Sequence, residues 1–301
     1  MESSPLARAA QQLVVGVGRE RQINSVNVAC VTIMILEWFL TFDLEFSLVW
    51  KAKWNPTKIM YLLARYLPFI DTSLVIYRHL AFTLSKGTCQ RVFECIVFMF
   101  GFGMGTVEMI FTLRTWAVWG KSKCLTWGIF STFAATWAAI FVTLVLYVRS
   151  VNQEVSPAPQ VIGCTLRISS PVLSVSFILL MAYDAALLIM MLIRGVSAFR
   201  SGGDSYLTRV VYSDGIVYYV YVFLLSLLNV LIILKLPDDY ETLLLTMERV
   251  IHSVLACRVV LHIRQQGAIA TAGRFPIANS VEMNHLDRHV KEPKGSDRTI
   301  D

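Results

Sequence analysis

The chain has 301 residues, of which 55% are hydrophobic and 16% charged, with a mean hydropathy of +0.58. A soluble domain carries about 25% charged residues, so these values exclude an ordinary water-soluble globule. The net charge of +6 would suggest nucleic acid in a soluble protein. Here the bases lie mostly in short loops between apolar stretches, where they set topology, so the expected partner is a lipid bilayer and not nucleic acid.

Residues 1–25 carry Glu2, Arg8, Arg19, Glu20 and Arg21 with no continuous apolar core. They read as a polar tail and not a cleavable signal peptide, leaving the first span to act as its own insertion signal. Seven apolar stretches follow, each near the ~20 residues needed to cross a bilayer core of about 30 Å. They predict helices over Val26–Leu48, Thr57–Leu80, Val92–Leu113, Leu125–Val148, Val172–Ile193, Val211–Leu234 and Leu243–Ile263. Asn55-Pro56, Gly120, Pro157 with Pro159, Gly202-Gly203 and Pro237 mark the joints. Residues 26–263 are thus expected to form an all-α, polytopic bundle of seven transmembrane helices. Residues 264–301 turn polar and read as a disordered cytosolic tail. The seventh stretch contains Glu248, Arg249, His252 and Arg258. A central charge costs about 2.5–3.5 kcal/mol on an insertion scale while each Leu or Val returns about 0.3–0.6. This stretch therefore needs partners to insert, and a six-span protein is the alternative. Slightly more Lys and Arg fall on the inner side if the N-terminus is outside and the C-terminus cytosolic.

That orientation puts Cys89, before the third span, and Cys164, in the fourth loop, on the same outer side, where a disulfide is expected; two free thiols are the alternative. Charges at membrane depth usually have a partner or a task. Counting outward from the turn near Lys53, Asp43 and Glu45 reach the depth of Arg65, which should pair with one of them. Glu37, Asp71, Asp184 and His252 fall near mid-bilayer on four helices. If they converge they form a polar core for a cation, a protonated amine or a proton; if not, they serve interhelical hydrogen bonding. Gly101 and Gly105 in Gly-Phe-Gly-Met-Gly are four apart and share a helix face, which suits close helix packing and not nucleotide binding. No metal-ligand spacing, catalytic elbow or cofactor motif is present, so neither an enzyme nor a metal or cofactor site is expected.

The strings Leu40-Thr41-Phe42-Asp43-Leu44-Glu45, Val49-Trp50-Lys51-Ala52-Lys53-Trp54 and Arg65-Tyr66-Leu67-Pro68 resemble the N-terminal signature, here about residues 26–70, of a large fungal, mainly basidiomycete, membrane family. That family is known as domain of unknown function 6533. Leu113–Gly120, Asp214–Tyr219 and Arg258–Arg264 resemble its later helices. The family usually has Tyr-Tyr-Asp where this chain has Ile35-Leu36-Glu37, and Asn where it has Ala64 and His262. The resemblance implies a multi-pass protein of the plasma membrane or an endomembrane, and supplies no catalytic residue. Three roles compete: a receptor-like or sensory protein, a transporter of protons, ions or small solutes, and a structural membrane protein.

Overall fold

The computed structural model describes residues 5–80, 85–120, 122–150, 172–200, 206–235 and 245–274. Its elements are α1 (Pro5–Glu45), a π-helical turn (Phe46–Trp50), α2 (Pro56–Leu80), α3 (Lys86–Val118), α4 (Lys123–Ser150), α5 (Val172–Arg200), α6 (Tyr206–Lys235) and α7 (Leu245–Arg274). No strand occurs among the described residues. This follows from the solvent: hydrocarbon offers no partner for peptide groups, so each span must close its own hydrogen bonds. Among the described residues, six segments are long and apolar enough to cross a membrane: Arg21–Trp50, Pro56–Arg78, Gly87–Val118, Leu125–Ser150, Val172–Ser197 and Gly215–Lys235. The protein is a multi-pass membrane protein. The seventh helix is 30 residues long but carries too many charges to join them.

Several helices run a few residues beyond the ends read in the sequence, and two boundaries differ most. Helix α1 runs 41 residues from Pro5, so most of the polar tail is helical. Proline suits a first helical turn, and only Gly16 and Gly18 weaken the run before Val26. Helix α7 likewise continues to Arg274 through alanines and Gln265-Gln266, which favour helix and not disorder; residues 275–301 lie outside the described residues.

Local signals set the other ends. Asn55 Oδ1 accepts from the Lys58 amide at 2.8 Å, so Asn55 caps α2 while Pro56 occupies its first turn. Lys58 closes the preceding end: its Nζ donates to the carbonyls of Trp50 at 3.0 Å and Ala52 at 2.8 Å, satisfying groups that a helix C-terminus leaves open. Ser85 Oγ caps α3 by accepting from the Thr88 amide. Gly120 follows that helix at φ 73°, a left-handed conformation that glycine adopts without strain.

Helices α2, α3, α4 and α5 pack in succession, α6 packs on α5, and α3 also touches α5. Close approach depends on glycine. A Cβ at Gly101 would stand 2.7 Å from Leu144, and one at Gly105 would stand 3.3 Å from the Trp137 ring. Both therefore face α4, as a shared helical face requires. The remainder of that interface is apolar, with Phe93, Met104, Trp137, Ile140 and Leu144 in one buried cluster with Leu173, Phe177 and Leu180 of α5.

The hydropathy of helix α7 does not by itself carry it across a membrane, which sets an expectation for its insertion. Placed alone in a glycosylation-based insertion reporter, Leu245–Arg274 should integrate in the minority of chains. The same segment in the whole protein should be protected. Majority integration of the isolated segment would contradict this reading.

Candidate functional site

Glu248 and Arg249, which lower the hydropathy of α7, face other helices. Arg249 Nε sits 3.0 Å from Asp71 Oδ2 of α2, with 1% and 3% of the two residues exposed. Ser253 Oγ donates to the Ala64 carbonyl of α2. That carbonyl is free because Pro68, four residues on, has no N–H to offer it. Neighbouring hydroxyls commonly satisfy such carbonyls in membrane helices. Helix α3 gives way to Arg249 at Gly103, where a Cβ would overlap the guanidinium. At the periphery, Arg258 Nε and Nη2 reach Glu37 of α1 at 2.9 and 2.7 Å.

A second group lies beside this one. Glu108 of α3, Asp184 of α5, and Glu248 and His252 of α7 are all fully or almost fully buried. His252 Nδ1 stands 3.4 Å from Glu108 Oε1. Ser226 of α6 donates to Asp184 Oδ2 at 2.6 Å and lies 3.4 Å from Glu248 Oε1, while Asn229 donates to Glu248 Oε2. Around it, Tyr183 and Thr112 join α5 to α3 at 2.7 Å, and Tyr219 donates to the Phe111 carbonyl at 2.9 Å. Three carboxyl groups thus face one imidazole, a set that can exchange a proton or favour a positive charge. No group of His, Cys, Asp or Glu with the geometry to hold a metal ion occurs among the described residues.

A third group closes the first hairpin. Glu45 is fully buried and lies 2.9 Å from Arg65 Nε. It also accepts from Tyr66 at 2.8 Å and Trp50 at 3.1 Å, while Arg65 donates to the Trp38 carbonyl. Asp43, at the same depth, is exposed.

The structure therefore brings Asp184 and His252 together with Glu108 and Glu248, sets Asp71 against Arg249, and leaves Glu37 with Arg258 away from the centre. Sequence reasoning missed Glu108, although a carboxylate in mid-span is itself the signal. It also read Glu248 and Arg249 only as a cost to insertion. Cys89 is disulfide-bonded; Cys164 lies outside the described residues.

Beside these polar groups is a cavity of about 120 Å³. Ile23, Phe93, Leu173 and Leu245 line it near the starts of the apolar parts of α1, α3, α5 and α7; Arg78 and Tyr147 line it at the ends of α2 and α4. It therefore occupies the half of the bundle where α1 begins its apolar stretch. Most of its wall is aromatic or aliphatic, and Gly101, Met104 and Trp137 belong to it.

With the first hairpin and its buried Glu45–Arg65 pair in view, the comparison with known families is informative. Residues 25–70 match the model of a family of unknown function, DUF6533. That stretch covers the apolar part of α1, the π-helical turn, the Asn55-Pro56 joint and α2 through Pro68, and so contains every residue of the Glu45 group. Among curated proteins nothing matches this chain.

Two measurements test the site. Asp71→Leu and Arg249→Met should each destabilise the protein by about 3–5 kcal/mol, because each leaves a buried charge alone, whereas the double variant should recover most of the loss. Additive losses in a double-mutant cycle in detergent would show that the two do not interact. Non-reducing peptide mapping should recover Cys89 linked to Cys164; a Cys164 that alkylates in native membranes would refute that pairing.

Proposed function

We propose that this chain is a receptor-like sensor: a seven-span protein of fungal origin, N-terminus outside and C-terminus cytosolic, that binds a small molecule in its outer half and alters its inner loops. What supports the reading is that the cavity and the polar centre share the same turns of two helices. On α3, Gly101 and Met104 line the cavity while Gly103 meets Arg249. On α7, Leu245 and Thr246 line the cavity and Glu248 and Arg249 follow within one turn. A molecule that shifts either wall displaces the Asp71–Arg249 pair. Close-packed interiors transmit such shifts because they do not deform continuously.

Proton or cation transport is the second reading, favoured by the three carboxyls around His252. It has less support because those groups are sealed among side chains, and the cavity beside them is mostly apolar. Flux in proteoliposomes above the protein-free rate would favour transport.

The sensor reading is tested at the loop between α1 and α2. A thiol introduced by Lys53→Cys, at an exposed position, should change its labelling rate several-fold when a cavity-sized aromatic probe binds. Probes that raise thermal stability yet leave labelling unchanged would count against a sensor.

A further inference from the structure

The cavity has a chemical character narrow enough to select its occupant. Two uncharged residues on its wall carry a buried polar group without a hydrogen-bond partner among the described residues: the Asn27 amide oxygen, on a residue 3% exposed, and the Trp137 indole N–H, on a residue 6% exposed. One accepts and the other donates. Buried polar groups of this kind are ordinarily satisfied, by protein, water or ligand. Ser176 shares a hydrogen with Thr143 at 2.6 Å, and Arg78, the charged residue on the wall, lies over the Phe93 ring at 5.8 Å. Among the described residues no carboxylate lines the cavity, so an amine finds no counter-charge among them. The volume is slightly below that of an apolar cavity of about 150 Å³ that accepts benzene.

We propose that this cavity is a binding site for a small neutral alcohol or phenol whose apolar body is no larger than a single benzene ring. The apolar body lies against Phe93, Phe100, Ile140 and Phe177. A hydroxyl suits either anchor, because it can donate to the Asn27 oxygen or accept from the Trp137 N–H. The inference deepens the sensor reading by naming the ligand class, but binding does not depend on signalling.

The full chain in lipid nanodiscs is titrated with benzyl alcohol, toluene, benzylamine and benzoate, following tryptophan fluorescence and thermal stability against empty nanodiscs at equal membrane concentration of probe. Benzyl alcohol should bind about tenfold more tightly than toluene, the ratio expected of one well-formed hydrogen bond. In Asn27→Leu or Trp137→Phe the preference should fall to within about twofold while toluene binding persists. Toluene binding as tightly as the alcohol, a charged probe binding best, or no binding beyond uptake by lipid would each overturn the proposal. If a variant fails to fold, the wild-type order of the four probes decides alone. Alcohol binding with unchanged labelling at Lys53→Cys would sink the sensor reading and leave the ligand class standing.

Discussion

The bundle depends on α7 turning its ionised and polar side chains inward. Glu248, Arg249, His252, Ser253 and Arg258 have partners on α6, α2, α3, α2 and α1 in that order. In lipid there is little hydrophobic drive between helices, so packing and interhelical polar contacts must hold them. A helix that would be marginal alone thereby becomes the element that ties the others together. Its partners make matching concessions: α3 gives up a side chain at Gly103, and α2 gives up an internal hydrogen bond at Pro68. Neither concession makes sense for the helix that bears it unless α7 is in place.

This arrangement bears on function through its position. Buried pairs are costly to break, so they hold one arrangement firmly and resist intermediate ones. The cavity is separated from the Asp71–Arg249 pair by less than a helical turn on both α3 and α7. Lys58, buried under the loop that follows the π-helical turn, fixes the geometry of the opposite end of the hairpin.

Much of the fold was legible because lipid imposes length and composition on every span. The apolar windows and their breakers located the six helices long and apolar enough to cross, and the glycine spacing located a close-packing face on α3, though not its partner α4. Depth was legible too, by counting from a turn, which placed both Asp43 and Glu45 level with Arg65. Rotation was not. Glu45 faces inward and Asp43 outward, and Glu37 points to Arg258 at the rim, because the face a residue takes depends on how each helix turns against its neighbours. The carbonyl released by Pro68 follows from chemistry alone, yet its acceptance of Ser253, 189 positions away in sequence, does not. The cavity was invisible for the same reason: it is made by side chains from helices whose mutual rotation no local pattern encodes.

The natural thiol of Cys257 reports directly on whether α7 lies within the bundle, since it is 2% exposed, not disulfide-bonded, and three positions beyond Val254 on that helix. Intact membranes carrying the protein are treated with a membrane-permeant maleimide, before and after denaturation, and peptides containing residue 257 are quantified. Protection in the native membrane with full labelling after denaturation is the expected result. Rapid native labelling of Cys257 would place α7 outside the bundle and remove the polar centre with it.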